Sequence, residues 1–327
     1  MTFAQYWTSL RRAAGYSALA AAASLSWGHE AAAFERGYPG WLLPPGVFMA
    51  TTAAVPPNGL YSFNIAFGAY GDLVGPGAPH LPSGPTHAQT ATWATGLLFS
   101  PGWTFLGAKY EAIVVQPFNM SSTTAPVNSS QAGMHNTVVF PALLSWKLAD
   151  SGFYVQAGLG VGIPDGTISG KTGLSSVGNP WWTLMPKFSI SYLKDGWNLS
   201  THIYGEFNTE NTYTGYQSGN LLHVDLVATK AVGKWTFGPV ASYVGQLTGD
   251  VSSPFYNNAI FMKRFNVWSV GAMVGYDFGP VKLTMWGLSD LQSSASGGSP
   301  TQIAADSAAI GQGFRIYANL NFRLMAF

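Results

Sequence analysis

The sequence predicts an all-β fold, a transmembrane antiparallel β-barrel of twelve strands. Three observations predict it: a composition poor in charge and rich in aromatic residues, long segments in which apolar and polar residues alternate, and a regular succession of short and long connections. Charged residues make up only 9% of the chain and aromatic residues 14%. Soluble domains typically carry about 25% charged residues. A wall that faces lipid needs little charge, so the composition favours a membrane protein over a soluble enzyme.

The N-terminal residues 1–33 have the features of a secretory signal peptide. Arg11 and Arg12 form a basic start, residues 13–27 are mostly apolar, and residues 31–33 are three alanines suited to cleavage. The apolar stretch is shorter than the roughly 20 residues that a membrane-spanning helix needs. We therefore expect an exported protein whose barrel begins later in the chain. An anchoring N-terminal helix is the alternative interpretation.

Several other classes of protein are excluded by the remaining sequence. No later segment holds roughly 18 apolar residues without a polar interruption, so a helical membrane span is not expected. A closed barrel is the other way to pair every backbone group inside a membrane. The net charge of +1 argues against a nucleic-acid partner. The lack of cysteine excludes disulfides, thiolate metal sites and cysteine nucleophiles.

A period of two is clearest at the C-terminus. Apolar residues occupy alternate positions at Phe314, Ile316, Ala318, Leu320, Phe322 and Leu324. The residues between them include Arg315, Asn319 and Arg323. A strand separates two such sets onto opposite faces, whereas a helix scatters them around its circumference. Similar alternation occurs at residues 153–163, 197–208 and 222–229.

Short and long connections alternate along the chain. The short ones are predicted at residues 100–102, 150–152, 194–196, 232–234 and 278–280, each with the Gly, Pro or Asp that a tight turn requires. The long ones are predicted at residues 71–87, 117–133, 164–178, 208–218, 248–263 and 289–313. Short periplasmic turns and long external loops are typical of outer-membrane barrels. Twelve strands over residues 59–327 then leave both barrel ends in the periplasm.

Residues 34–58 precede the first predicted strand and contain five prolines. Proline is a poor strand former, so we expect this segment to be irregular and to enter the lumen as a partial plug. The alternative is a strand at residues 47–53 and a barrel of 14 strands. A soluble β-sandwich or propeller is less favoured, because the predicted strands exceed the usual five or six residues.

With apolar residues facing lipid, a set of polar residues faces the lumen. The lumen-lining and transport candidates are Lys109, Glu111, Lys187, His202, Tyr204, Glu206, His223, Asp225, Arg315 and Arg323. Neighbouring strands could pair Glu206 with His223, and Asp225 with His202 or Lys187. These groups form either a polar track for solute or a structural network of ion pairs. The second interpretation is favoured, because a buried charge must be paired wherever it lies.

Catalytic and metal-binding signatures are weak. A lipid hydrolase would need a Ser–His pair at the lipid-facing surface, whereas His202 and His223 are predicted to point inward. No histidine spacing suggests a metal site, and no cofactor is expected. Gly158, Gly160 and Gly162 lie inside a predicted strand, so we interpret them as small lumen-facing positions where something packs closely.

Residues 178–250 carry a resemblance to a known family. Its elements are Pro186, Lys194-Asp195-Gly196-Trp197, Glu206-Phe207-Asn208, Thr214-Gly215-Tyr216, Gly233-Lys234-Trp235 and Gly238-Pro239. They resemble the outer-membrane family named for the MetA-pathway (meta-pathway) of phenol degradation. The resemblance implies a barrel channel or transporter associated with the catabolism of aromatic compounds. It implies no catalytic residues.

The sequence and the resemblance together predict a channel of the Gram-negative outer membrane for small, poorly soluble molecules, aromatic ones included. A structural or interaction barrel without transport is the first alternative, and an outer-membrane lipid hydrolase is the least favoured. The expected partners are outer-membrane lipid, a small hydrophobic or aromatic solute and the barrel-assembly machinery. Nothing in the sequence marks a subunit interface, so a monomer is expected.

Overall fold

The computed structural model describes residues 35, 38–76, 78, 80–125, 128–169, 176–258, 262–297 and 310–327. The predicted signal peptide, residues 1–33, lies outside these ranges. Among the helices that they contain, none has the length and apolar character needed to span a membrane.

Twelve antiparallel strands form one sheet that closes on itself. They are β1 (Gly59–Val74), β2 (His87–Ser100), β3 (Ala108–Thr123), β4 (Val138–Lys147), β5 (Phe153–Gly162), β6 (Thr183–Lys194), β7 (Trp197–Asn208), β8 (Leu221–Val232), β9 (Trp235–Gln246), β10 (Met262–Asp277), β11 (Val281–Gly297) and β12 (Ile310–Ala326). Strand β1 pairs with β2 on one side and with β12 on the other, so the barrel has no free edge. The predicted twelve-stranded barrel is confirmed.

The other elements are short. A strand at Ser130–Met134 pairs with β3, Thr104–Phe105 lies in the turn between β2 and β3, and His80–Leu81 pairs with Gly84–Pro85. The one 3-10 helix in the described ranges is Pro254–Tyr256. The alternative strand at residues 47–53 is wrong, because residues 45–50 form consecutive turns. The prolines and Gly46 in this segment favour turns over extended pairing.

Short turns and long loops alternate as predicted, although several strands extend further than expected. Strand β1 continues to Val74, and β11 reaches Gly297. The expected loops 71–87 and 289–313 are therefore shorter than the sequence suggested. The reason is that polar segments, which the sequence suggested were loops, still form backbone hydrogen bonds with neighbouring strands outside the membrane.

In β12, alternate residues point to lipid and to the lumen as the sequence predicted. Phe314 and Ile316 are 50% and 46% exposed on the outer wall, whereas Arg315 and Tyr317 are buried inside. Strand β7 behaves in the same way. The outward residues thus form the apolar belt that a lipid-facing wall requires.

Strand β1 has the opposite phase. Its apolar residues point into the barrel, where Phe67 lies 4.8 Å from the ring of Tyr317 and Ile65 packs against the same buried cluster. Its polar residues point outward, since Asn64 pairs in register with the outward residue Leu320. The rule that apolar residues face lipid is therefore wrong for β1. Alternation defines two faces, but it does not say which of them is outside when the lumen itself holds apolar groups.

Candidate functional site

The lumen contains part of the N-terminal segment, and barrel carboxylates bind its backbone. Glu206 on β7 accepts hydrogen bonds from the backbone N–H groups of Leu42 (2.8 Å) and Leu43 (3.0 Å). Because the prolines prevent this segment from joining a sheet, its N–H groups need other acceptors. A carboxylate supplies two oxygens at once, so Glu206 holds two successive residues.

Asp225 on β8 makes a second contact of the same kind. Its carboxylate accepts the backbone N–H groups of Gly46 (2.9 Å) and Phe48 (3.3 Å) and the hydroxyl of Ser242 (2.8 Å). Asp225 is fully buried. We call Glu206 and Asp225, with the four backbone groups that they bind, the carboxylate clasp.

Other barrel side chains bind the carbonyl groups of the segment. The indole of Trp286 donates to the carbonyl of Gly46 (3.1 Å), and the hydroxyl of Tyr317 donates to that of Pro45 (2.6 Å). Met49 is completely buried and packs in the same cluster as Trp286 and Tyr317. Polar and apolar contacts thus fix the same turn of the chain.

The glycines of β5 make room for this packing. A side-chain carbon at Gly160 would lie 2.6 Å from the Phe140 ring, and one at Gly162 would collide with Leu42 of the segment. The interpretation of Gly160 and Gly162 as positions of close packing is confirmed.

A chain of hydrogen bonds connects inward-pointing side chains of three strands, β6, β5 and β3. The Lys187 ammonium donates to Gln156 (2.8 Å), whose amide donates to Glu111 (2.8 Å). The same ammonium lies 4.8 Å from the centre of the Phe48 ring, a cation–π contact with the segment. The amide of Gln156 therefore bridges two buried charges of opposite sign, and the segment covers one of them.

Glu206 and His223 lie together as predicted. His223 Nε2 is 3.3 Å from the Glu206 carboxylate, although the pair lacks hydrogen-bond geometry. The imidazole stacks on Tyr204, with ring centres 4.4 Å apart. The other predicted pairing is not formed, because the oxygens of Asp225 bind the segment and Ser242 rather than His202 or Lys187.

A serine and a histidine do meet inside the barrel. Ser189 Oγ lies 2.9 Å from His202 Nδ1, and it also accepts a hydrogen bond from Lys187 (2.9 Å). Both Ser189 and His202 are fully buried, so neither reaches the lipid-facing surface. Asp225 is directly opposite His202 in register, yet no hydrogen bond between them is found in the described residues. The arrangement lacks the oriented imidazole of a hydrolytic triad.

The three remaining candidates lie elsewhere. Arg315 pairs with Asp290 and also donates to Ser269 (2.7 Å), inside the wall formed by β10, β11 and β12. Lys109 and Arg323 are exposed near the end with the short turns, and Arg323 donates to the carbonyl of Asn58. The structure thus brings Lys187, Glu111 and His202 together with Tyr204, Glu206, His223 and Asp225, and it leaves Lys109 and Arg323 apart.

The inner wall is polar on one side and apolar on the other. Strands β6 to β8 contribute Lys187, His202, Glu206, His223 and Asp225, whereas Glu111 lies on β3 and Arg315 on β12. Ile65 and Phe67 of β1 and Ile113 and Val115 of β3 pack inward against buried apolar clusters, to which Met185 of β6 and Val227 of β8 also belong. The lumen therefore has a wall rich in charge around β6 to β8 and an apolar wall around β1. Sequence phasing missed the apolar wall because it assigned every apolar residue to lipid.

Two carboxylates that the sequence did not single out lie among the external loops. Glu35 accepts hydrogen bonds from Asn211, Thr214 and Tyr256, each 2.7 Å long. Burial raises the pKa of Glu35, partly offset by these bonds. These contacts join residue 35 to two loops, and no motif in the sequence pointed to them.

Asp250 is the second of these carboxylates. It accepts the hydroxyl of Tyr216 (2.6 Å), the backbone N–H of Gly219 (2.7 Å) and the amide of Gln246 (2.7 Å). Burial raises the pKa of Asp250 to about 7. Asp250 thereby connects the loop after β7 to the loop after β9.

Known proteins resemble the chain in sequence pattern and in fold. A family model described as "Putative MetA-pathway of phenol degradation" matches residues 67–299. The crystal structure of an outer membrane channel from Pseudomonas putida F1 superposes with a TM-score of 0.68 at 12% identity, covering 86% of this chain and 99% of that one. A FadL homologue of Pseudomonas aeruginosa gives a TM-score of only 0.41 at 10% identity, covering 90% of this chain and 98% of that one. No curated protein matches the chain by sequence.

The likeness to the Pseudomonas putida structure concerns the fold. A closed antiparallel barrel with an apolar outer belt is the form in which strands cross a membrane. The chain is accordingly a protein of the bacterial outer membrane.

Proposed function

Because the chain belongs to the family described as "Putative MetA-pathway of phenol degradation", we propose that it is an outer-membrane channel for small, poorly soluble molecules, including aromatic ones. The observation that carries this proposal is the apolar part of the inner wall. A porin for hydrophilic solutes has a polar, water-filled interior. Here Phe67 and Ile65 face the lumen instead of lipid.

The two unlike walls suit a molecule that is mostly apolar and carries a polar group. Its apolar part can follow β1, while the charged residues of β6 to β8 offer hydrogen bonds to the other end. Such a path does not require the wide aqueous pore of a porin. It also explains why a channel can hold paired buried charges without being an ion filter.

The N-terminal segment acts as a plug in this proposal. It fills the space between the two walls, and the carboxylate clasp holds it by hydrogen bonds rather than by a covalent link. Hydrogen bonds to a buried charge are each worth about 1.5–3 kcal/mol, so the clasp is strong but reversible. Passage of solute then involves displacement of part of this segment.

Deletion of residues 34–55, with residues 1–33 retained for export, tests the plug. We expect a larger single-channel conductance in planar bilayers than that of the intact protein. Unchanged conductance would contradict the role of the segment as a plug.

A second pair of variants tests the apolar path. Phe67→Ser places a hydroxyl on the inner wall, and Phe207→Ser makes the same change on the outer wall, where Phe207 is 39% exposed. We expect Phe67→Ser alone to slow the uptake of a small aromatic such as phenol into proteoliposomes, with ion conductance unchanged. Equal uptake of every aromatic tested by the intact protein, both variants and empty liposomes would overturn the proposed function.

A structural or interaction barrel without transport is the second candidate. The observation that favours it is the filled lumen, in which Glu206 and Asp225 are fully buried. The recordings described above separate the two, because a sealed barrel without solute uptake would support this alternative.

A further inference from the structure

The inverted phase of β1 leaves polar side chains on the outer wall of the barrel. The hydroxyl of Thr95 on β2 donates to the amide oxygen of Asn64 (3.0 Å), and the Asn64 amide donates to the hydroxyl of Ser62 (3.2 Å). Register places Asn64 beside Leu320, which is 37% exposed on the outer wall. The polar group thus lies in the same belt as residues that face lipid.

At this height, the neighbouring strand β12 has no such polar residues on its outer face. The outward positions of β12, from Phe314 to Leu324, are all apolar. Beyond Asn64, the outward positions of β1 are the small residues Ala66 and Gly68, which pair with Ala318 and Ile316, and then Tyr70, which pairs with Phe314. We call Ser62, Asn64, Thr95, Ala66 and Gly68 the outer row.

Hydrocarbon satisfies none of the remaining hydrogen-bonding capacity of the outer row. The Asn64 amide nitrogen has two hydrogens, and the bond to Ser62 uses one of them. Between transmembrane helices, Ser, Thr, Asn and Gln beside small residues are common where two protein surfaces meet, because close approach allows polar contacts, and the same physical argument applies to two barrel walls. The outer row has this composition, and two larger residues of β2, Trp93 and Leu97, flank Thr95 on the outer wall.

We propose that the outer row is the contact surface between two copies of this chain. A carboxamide is both donor and acceptor, so Asn64 can pair with the same residue of a second copy across a two-fold axis. Neither residues 59–71 nor residues 88–100 contain a Lys, Arg, Asp or Glu. A charged partner would find no complement here, whereas a second neutral copy does.

The shape of the wall above Asn64 also allows close approach. A shallow groove of about 480 Å³ lies over Gly68 and Ala91, with Tyr70, Met120 and Phe314 along it. Tyr70 is 57% exposed. A two-fold axis along the membrane normal brings equal heights together, so the groove has room for the Tyr70 ring of the second copy. This proposal goes beyond the channel function and does not depend on any solute.

The lack of native cysteine allows a direct test. Asn64→Cys introduces one thiol into the outer row. Ile203→Cys introduces one on β7, six strands away around the barrel, where Ile203 is 38% exposed on the outer wall. Oxidation with copper phenanthroline in intact outer membranes should yield a disulfide-linked dimer from Asn64→Cys and essentially none from Ile203→Cys. Equal yields would indicate random collisions and would overturn the proposal.

Asn64→Leu provides a second measurement that does not depend on disulfide geometry. Heat-modifiable migration in gels reports that the barrel is folded. Native mass spectrometry of the intact protein should show a dimer that this variant weakens by roughly three- to tenfold. A monomer for the intact protein, a dimer unaffected by the substitution, or a complex with a different protein would each contradict the proposed contact.

Discussion

The backbone N–H of Gly46 donates a 2.9 Å hydrogen bond to the carboxylate of Asp225 in the interior of the barrel. Gly46 has a φ of +92°, a left-handed conformation that brings its N–H and that of Phe48 toward the same side chain. The charge of Asp225 is thereby stabilised by backbone dipoles and Ser242. Loss of the segment would therefore remove two of the hydrogen-bond donors to this buried carboxylate.

Removing the charges of the carboxylate clasp should loosen the segment. In Glu206→Gln and Asp225→Asn, the new amide group turns one acceptor into a donor that faces backbone N–H groups. We expect each variant to lose about 2–3 kcal/mol of the stability of the bound segment, since charge-assisted hydrogen bonds are worth about 1.5–3 kcal/mol each. Limited proteolysis at residues 38–58 should become faster, and open-channel events should become more frequent.

Glu210→Gln is the matched control for the clasp, because Glu210 is exposed in the loop after β7. It should behave like the unmodified protein in both measurements. Proteolysis of the clasp variants at the rate of this control would mean that apolar packing alone retains the segment.

Gly46→Ala tests the backbone at the same turn. A side-chain carbon at Gly46 would lie 2.5 Å from Leu288, and the left-handed conformation costs a non-glycine residue roughly 1–2 kcal/mol. We expect a lower unfolding temperature and faster cleavage of the segment. Gly311→Ala is the control, since a carbon there meets no atom within 4 Å. Equal unfolding temperatures for the two variants would show that the turn at Gly46 is not constrained.

The strand count and the phase of β12 could be predicted from sequence, but the phase of β1 could not. In β12, Arg315 and Asn319 identify the inner face, because charged and amide side chains avoid lipid. In β1 one face carries Ser62 and Asn64, and the opposite face carries Phe63, Ile65 and Phe67. Neither face carries a charged residue in this part of the strand. Only the packing of Phe67 on Tyr317 and the segment beyond it decides which face is inside.

The sequence predicted which charged residues of strands β6 to β8 face the lumen. It did not predict all of their hydrogen-bond partners. Glu206 and His223 were expected to meet, because neighbouring strands place inward residues side by side. The partners of Asp225 were not expected, since two of them are backbone N–H groups more than 170 positions away in sequence. No local pattern encodes such a contact.

Lys187 and Glu111 provide a test of whether the inner charges are structural. Lys187→Met leaves Glu111 buried without its counter-charge, and breaking a buried pair typically costs about 3–5 kcal/mol. Adding Glu111→Gln should recover a large part of this loss, as a double-mutant cycle by thermal unfolding would measure. Full recovery with normal phenol uptake would identify a structural network. Restored stability with lost uptake would instead assign these charges to the solute path.

The pH dependence of the external loops follows from Asp250. Burial raises its pKa from 3.8 to about 7, and that of Glu35 shifts in the same direction. The folded loops therefore hold these protons more tightly than the unfolded chain does. Their packing should be most stable below pH 3.8 and should weaken as the pH rises to about 7, with little change above that value. Protease cleavage of the loops at residues 209–220 and 247–258 measures this trend.

Asp250→Asn should flatten the trend, because an amide can still bind Tyr216 and Gly219 but does not titrate between pH 4 and about 7. The control is Asp150→Asn in the exposed turn after β4. There a hydrogen bond from Lys147 lowers the pKa of Asp150, so its titration lies below this range. In the control, the cleavage rate of the loops should depend on pH as it does in the unmodified protein. If Asp250→Asn kept this pH dependence too, the proton would have to be held by Glu35, and Glu35→Gln would then have to remove it.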